Sequence, residues 1–124
     1  MTRTPLLSLI ARPIAALTLV ATTACSGGAA DVPVSEEAVE AIDAPVLFQR
    51  RCAQCHGARG VGDGPSAVAY PRVGDLTDPA MHARLSDEDL RRAMRQGVGR
   101  MPPVGSLSAT EREALVRYVR TLAP

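Results

Sequence analysis

Cys52, Cys55 and His56 are the residues best placed to do chemistry, because they stand together as Cys52-Ala53-Gln54-Cys55-His56. Three uses of two thiols beside an imidazole fail on their surroundings. A dithiol redox pair belongs in a strand–helix–strand context, and the sequence carries no strand pattern. A zinc site needs four ligands, and only His82 is left to join these three. A disulfide between residues three apart on a helix is geometrically poor. The spacing does fit Cys-x-x-Cys-His, the signature of c-type haem attachment. Two thiols on one helical turn can reach the two vinyl groups of one haem and form thioethers. The histidine that follows is then pinned beneath the ring, where it can bind the iron.

Iron held this way has a sixth position to fill, and the candidates are Met81, His82, Met94 and Met101. Met101 lies in Gly97-Val98-Gly99-Arg100-Met101-Pro102-Pro103, a loop by its glycines and prolines, and a loop methionine can be aimed at a metal. Met94 follows Leu90 by four in a helical pattern and reads as core. Met81 and His82 open a short segment after Pro79, and no spacing argument excludes His82. Met101 is the expected distal ligand.

The elements that must carry these residues are helical. Asp43 can cap a helix running through Pro45 to the haem cysteines, since proline is tolerated in a first turn. Ser86-Asp87-Glu88-Asp89 starts a second helix with a capping box, and Gly97 ends it. Ser108-Ala109-Thr110-Glu111 is another capping box. It leads a helix with Leu115, Val119 and Leu122 on one face and Tyr118 alongside. Between His56 and Pro79, glycines and prolines indicate loop, with one helical turn at Ser66–Tyr70. Three main helices and long loops suit a compact domain only if the loops wrap something, and a haem meets that requirement. The expected class is all-α.

Composition adds a constraint. All 14 basic residues are arginine, and the aromatics are Phe48, Tyr70 and Tyr118 alone. A small domain so short of aromatic bulk leans on a disulfide, a metal or a cofactor. Residues 1–24 read as a secretion signal, with Arg3 and Arg12 before a short apolar run from Ile14. Thr22-Thr23-Ala24-Cys25-Ser26-Gly27-Gly28 resembles the lipobox of bacterial lipoproteins, although the family prefers an aliphatic residue where Thr22 stands. Cys25 is thus expected as an acylated first residue, leaving a chain of 100 residues. Residues 25–43 read as a flexible acidic linker, with Asp31, Glu36, Glu37, Glu40 and Asp43 and no base. Residues 44–124 form the haem domain, with 12 arginines against eight acids.

From about Ala44 to Leu122 the chain resembles the class I, single-haem cytochromes c. The family has an aromatic four residues before the first haem cysteine, here Phe48. It has an aliphatic residue three before an aromatic in the last helix, here Leu115 and Tyr118, both packing on the first helix. Its usual glycine eight before the first cysteine is Ala44 here, which implies a slightly wider helix crossing. Gly-x-x-x-Met-Pro, here Gly97 to Pro102, matches the axial methionine loop. The loop from His56 to Pro65 resembles that of bacterial members, in which a proline carbonyl accepts the ligand histidine's second N–H; Pro65 is the candidate and Pro71 the alternative.

The resemblance implies a cytochrome c fold around one covalent haem c, with His56 and Met101 on the iron. It implies a monomeric single-electron carrier, not an enzyme in its own right, that meets a redox donor and acceptor and binds no nucleic acid. With the lipobox, the expected location is the periplasmic side of a bacterial membrane, held there through Cys25. Two other roles fit the same residues. One is the haem subunit of a larger redox enzyme complex; the other is a gas-binding or sensing haem protein, should Met101 not ligate iron.

Overall fold

The structure, a computed structural model, describes residues 33–70 and 72–124. The expected signal, Cys25 and Pro71 lie outside them. Six short α-helices and one 3-10 turn make up the described chain: α1 (Glu36–Glu40), α2 (Ala44–Arg51), α3 (Ala53–His56), the 3-10 turn Ala67–Ala69, α4 (Pro79–Arg84), α5 (Asp87–Gln96) and α6 (Ala109–Arg120). No strand forms among these residues, and the class is all-α as expected. No described helix is long and apolar enough to cross a membrane.

The caps read from sequence are made. Asp43 accepts from the Val46 amide at 3.0 Å. Ser86 with Asp89, and Ser108 with Glu111, form reciprocal capping boxes, each satisfying two otherwise orphaned amides. Gly97 ends α5 at φ +77°, a conformation that costs glycine little. The expected single helix from Asp43 to the cysteines is divided. At Cys52 the backbone sits at φ −119° and ψ −38°, so α2 stops and α3 restarts as one turn.

Two helices were not anticipated. Asp78 and Pro79 start α4 with an ordinary cap, the Asp78 carboxylate accepting from Ala80 N at 2.9 Å. The α1 helix corrects the expected linker, because residues 35–43 are ordered on the domain. Ser35 caps α1, its first-turn acids complement the helix dipole, and Val39 is buried. Arg117 of α6 donates to both Glu36 carboxylate oxygens at 2.6 and 2.8 Å, which also lowers the Glu36 pKa.

The core sits where α2, α5 and α6 meet. Phe48, Leu115 and Val116 are its fully buried large side chains. Met81, Leu90, Met94, Leu107 and Val119 pack with them. Phe48 and Tyr118 stack tilted, with ring centres 5.2 Å apart, so the pairing expected between first and last helix is present. Leu122 closes the core end against the motif loop: a Cβ on Gly60 would lie 2.8 Å from its Cδ1.

Candidate functional site

Helix α3 and its N-cap carry the whole motif. The Cys52 carbonyl accepts from the amides of Cys55 and His56 at 3.1 and 2.9 Å. Both thiols are therefore presented from a single turn, and neither is in a disulfide. Cys52 packs against the core while Cys55 is half-buried. Burial pushes the Cys52 thiol up to about 11, so before any covalent bond forms it is held as the neutral thiol at physiological pH.

The loop after the motif folds back to close the helix. Gly64 N donates to Cys55 O at 3.1 Å and Ser66 N to Gln54 O at 2.8 Å. These bonds satisfy carbonyls that a helix end leaves open. A Cβ at Gly64 would lie 2.5 Å from the Ala53 carbonyl oxygen, so only glycine allows this approach. The Gln54 amide reinforces the turn by donating to Ser66 Oγ at 2.8 Å.

That return explains a correction. Pro65 was expected to supply the carbonyl for His56, but it belongs to the turn that caps α3. The oxygen 3.1 Å from His56 Nδ1 is that of Gly74. A carbonyl can only accept, so Nδ1 carries the proton and the Nε2 lone pair is left for a metal. Burial lowers the His56 pKa, with the Gly74 bond opposing in part, which keeps the ring neutral as a ligand must be. The Gly74 carbonyl was not legible in the sequence, because every residue offers the same group.

The four candidates for a sixth ligand separate clearly. Met81 and Met94 are buried among core side chains. The His82 ring is engaged at both nitrogens, Nε2 with Leu76 O at 2.7 Å and Nδ1 with Arg120 at 3.2 Å. Met101 is half-buried and outside the core cluster. It closes a tight turn with Val98 through two backbone bonds of 3.0 and 2.9 Å, with Gly99 at φ +57°. The motif turn thus offers two thiols and one imidazole, and of the four candidates Met101 is the side chain outside the core cluster with no ring or core partner. Such a set fits a covalently attached haem with nitrogen and sulfur on the iron.

A family model described as "Cytochrome C oxidase, cbb3-type, subunit III" matches residues 40–119. Among solved structures, the chain is similar to the KustC0563 c-type cytochrome, with 27% identity over 67% of this chain and 100% of that one, and a TM-score of 0.57. It shares its fold with a chain of the Kuenenia stuttgartiensis reducing HAO-like protein complex Kustc0457/Kustc0458. There the identity is 24% and the TM-score 0.51, over 73% of this chain and 43% of that one. No curated protein matches the chain.

Proposed function

The chain belongs to the family of cytochrome C oxidase, cbb3-type, subunit III and has the all-α cytochrome c fold, and from that premise we propose that it is a single-electron carrier with one haem c. The observation that carries this reading is the donor set on one turn, in which Cys52 and Cys55 hold unpaired thiols and the His56 ring is oriented by its Nδ1–H bond to Gly74 O. When bound, the haem supplies the one-electron couple of its iron. Cys52 and Cys55 would hold the haem covalently, and His56 and Met101 would supply the ligands to its iron. The soft thioether would favour a relatively high potential.

The charge on the motif side supports docking to an acidic redox partner. Among the described residues Arg91, Arg95, Arg117 and Arg120 are paired with carboxylates on α1, α5 and α6. Arg50 and Arg51, exposed beside the motif, have no such carboxylate. Long-range attraction raises encounter rates without demanding a large interface, and salt screens it beyond about 8 Å. The protein should therefore titrate as a reversible one-electron couple, and its bimolecular electron-transfer rate with its natural partner should fall as salt is raised. Charge reversal at Arg50 or Arg51 should lower the rate at low salt. A rate flat or rising with salt would rule out attraction to an acidic partner.

A second reading keeps the same chemistry within a larger assembly. The family description names an oxidase subunit, which favours a haem subunit fixed beside other redox centres over a free shuttle. Stable co-purification with a redox enzyme from native membrane would select this reading, and recovery as a monomer would select the shuttle.

The address is also proposed. Residues 1–24 would be a lipoprotein signal, Cys25 the acylated first residue, and the domain a periplasmic one on a bacterial membrane. With α1 docked on α6, the tether is the stretch before Ser35 rather than the whole of 25–43. Cys25→Ser should move the protein from the membrane to the soluble periplasmic fraction. Unchanged fractionation would assign the anchor to something else.

A further inference from the structure

We propose that His82 and Arg120 are positioning residues for the haem ligand: they fix the segment whose Gly74 carbonyl holds His56. The inference rests on His56 being the iron ligand, as read above. The segment 74–77 is clamped at Leu76 from both sides. Leu76 N donates to Gly60 O at 2.7 Å, and Leu76 O accepts from His82 Nε2 at 2.7 Å. Asp75 braces the same turn by accepting from the Thr77 amide at 2.8 Å and its hydroxyl at 2.6 Å. The Gly74 carbonyl, two residues from the clamp, lies on His56 Nδ1.

His82 can play this part because its protons are assigned by its neighbours. Arginine can only donate, so Nδ1 must accept from Arg120; a carbonyl can only accept, so Nε2 must carry the proton. The imidazole is a neutral bridge between α6 and the ligand's loop. Arg120 is itself fixed by three further hydrogen bonds. Its Nε lies 2.8 Å from Asp87 Oδ1, and its terminal nitrogens donate to His82 O at 3.1 Å and Leu85 O at 2.6 Å. The guanidinium thus ties the end of α6 to α4, to the start of α5 and, through His82, to Leu76. This accounts for a histidine that the sequence offers as a metal ligand and that the site does not use.

The consequence is electronic. A ligating imidazole that donates its second N–H to a carbonyl is a stronger base and favours oxidised iron. Loosening Leu76 lengthens the Gly74–His56 bond and should raise the reduction potential without changing the ligands. His82→Phe removes both ring bonds at similar volume. His82→Gln keeps an amide donor for Leu76 and an oxygen for Arg120.

The test uses haem-loaded protein and begins with the wild type. Its spectrum must show histidine on the iron; if it does not, the His56 reading fails and the relay with it. In haem-loaded His82→Phe we expect a higher potential, by about threefold in the one-electron equilibrium constant, where tenfold is ~59 mV. We also expect faster hydrogen exchange at the Leu76 amide and an unchanged methionine–iron absorption band. His82→Gln should return the potential and the exchange toward wild type, which a residue needed only for general packing would not do. If His82→Phe does not retain haem, Arg120→Met, which leaves the imidazole in place, is read by the same criteria. A wild-type potential in the haem-loaded Phe or Met variant, or a Gln variant shifted as far as Phe, would overturn the relay while leaving the ligand assignment intact.

Discussion

Replacing Cys52 and Cys55 together by alanine is expected to abolish cooperative folding of the haem-free domain. The longest described helix has 12 residues and the motif helix four, and isolated helices shorter than about 12–15 residues are marginal in water. Among the described residues the largest fully buried side chains are Phe48, Leu115 and Val116. Leu47, Leu76, Leu85, Val104 and Leu122 reach the core but are only partly covered, and Val68 and Val98 stand 93% and 63% exposed on the loops after the motif and before Met101. Long loops between His56 and Pro79, and between Gly97 and Ser108, have little else to pack on. A haem would in effect be the largest group of the core, and a small domain of this kind gains its margin from such a group. Circular dichroism on heating should show a gradual, non-cooperative loss of helix in the double variant. A native-like cooperative melt without haem would refute the view of the fold as built around its cofactor.

The second large effect is expected from Met101→Ala. With the thioether gone, methionine ligation is lost, the potential drops because soft sulfur favours reduced iron, and the open position binds carbon monoxide or cyanide more readily. Met81→Leu and Met94→Leu are the controls. Both residues are buried in the core, so a swap of similar volume should cost less than about 1.5 kcal/mol of stability and leave the spectrum as it was. The sign of the potential change separates Met101 from His82, whose loss should raise it. If Met101→Ala keeps a native spectrum while a His82 variant loses methionine–iron absorption, the ligand assignment is wrong. Ready gas binding by the unmodified protein would instead favour a sensing role.

Local signals gave much of this architecture. The serine capping boxes of α5 and α6, the Asp43 cap and the Gly97 stop depend on neighbours within four residues, and all are made. The motif turn is likewise local. What could not be read depends on contacts distant in sequence. Helix α1 is too short for a periodic pattern and is held by Arg117, 81 residues away, so its acids looked like a solvated tether. The break at Cys52, at φ −119°, has no signal among its sequence neighbours. The family pattern points to a proline carbonyl and so to Pro65, yet the accepting oxygen is that of Gly74, in the 74–77 turn. His82 looked like a ligand because imidazoles bind metals, and only the placement of Leu76 and Arg120 reveals that both its nitrogens are spoken for.

The proposed function depends above all on one haem bound covalently through Cys52 and Cys55, with His56 as its ligand. Mass spectrometry of the mature protein, produced with haem-maturation machinery and denatured before analysis, tests it most directly. One added haem mass is expected, surviving denaturation and mapping to the peptide containing Cys52 and Cys55. A haem that extracts into acidic solvent and leaves a polypeptide of unmodified mass would contradict it.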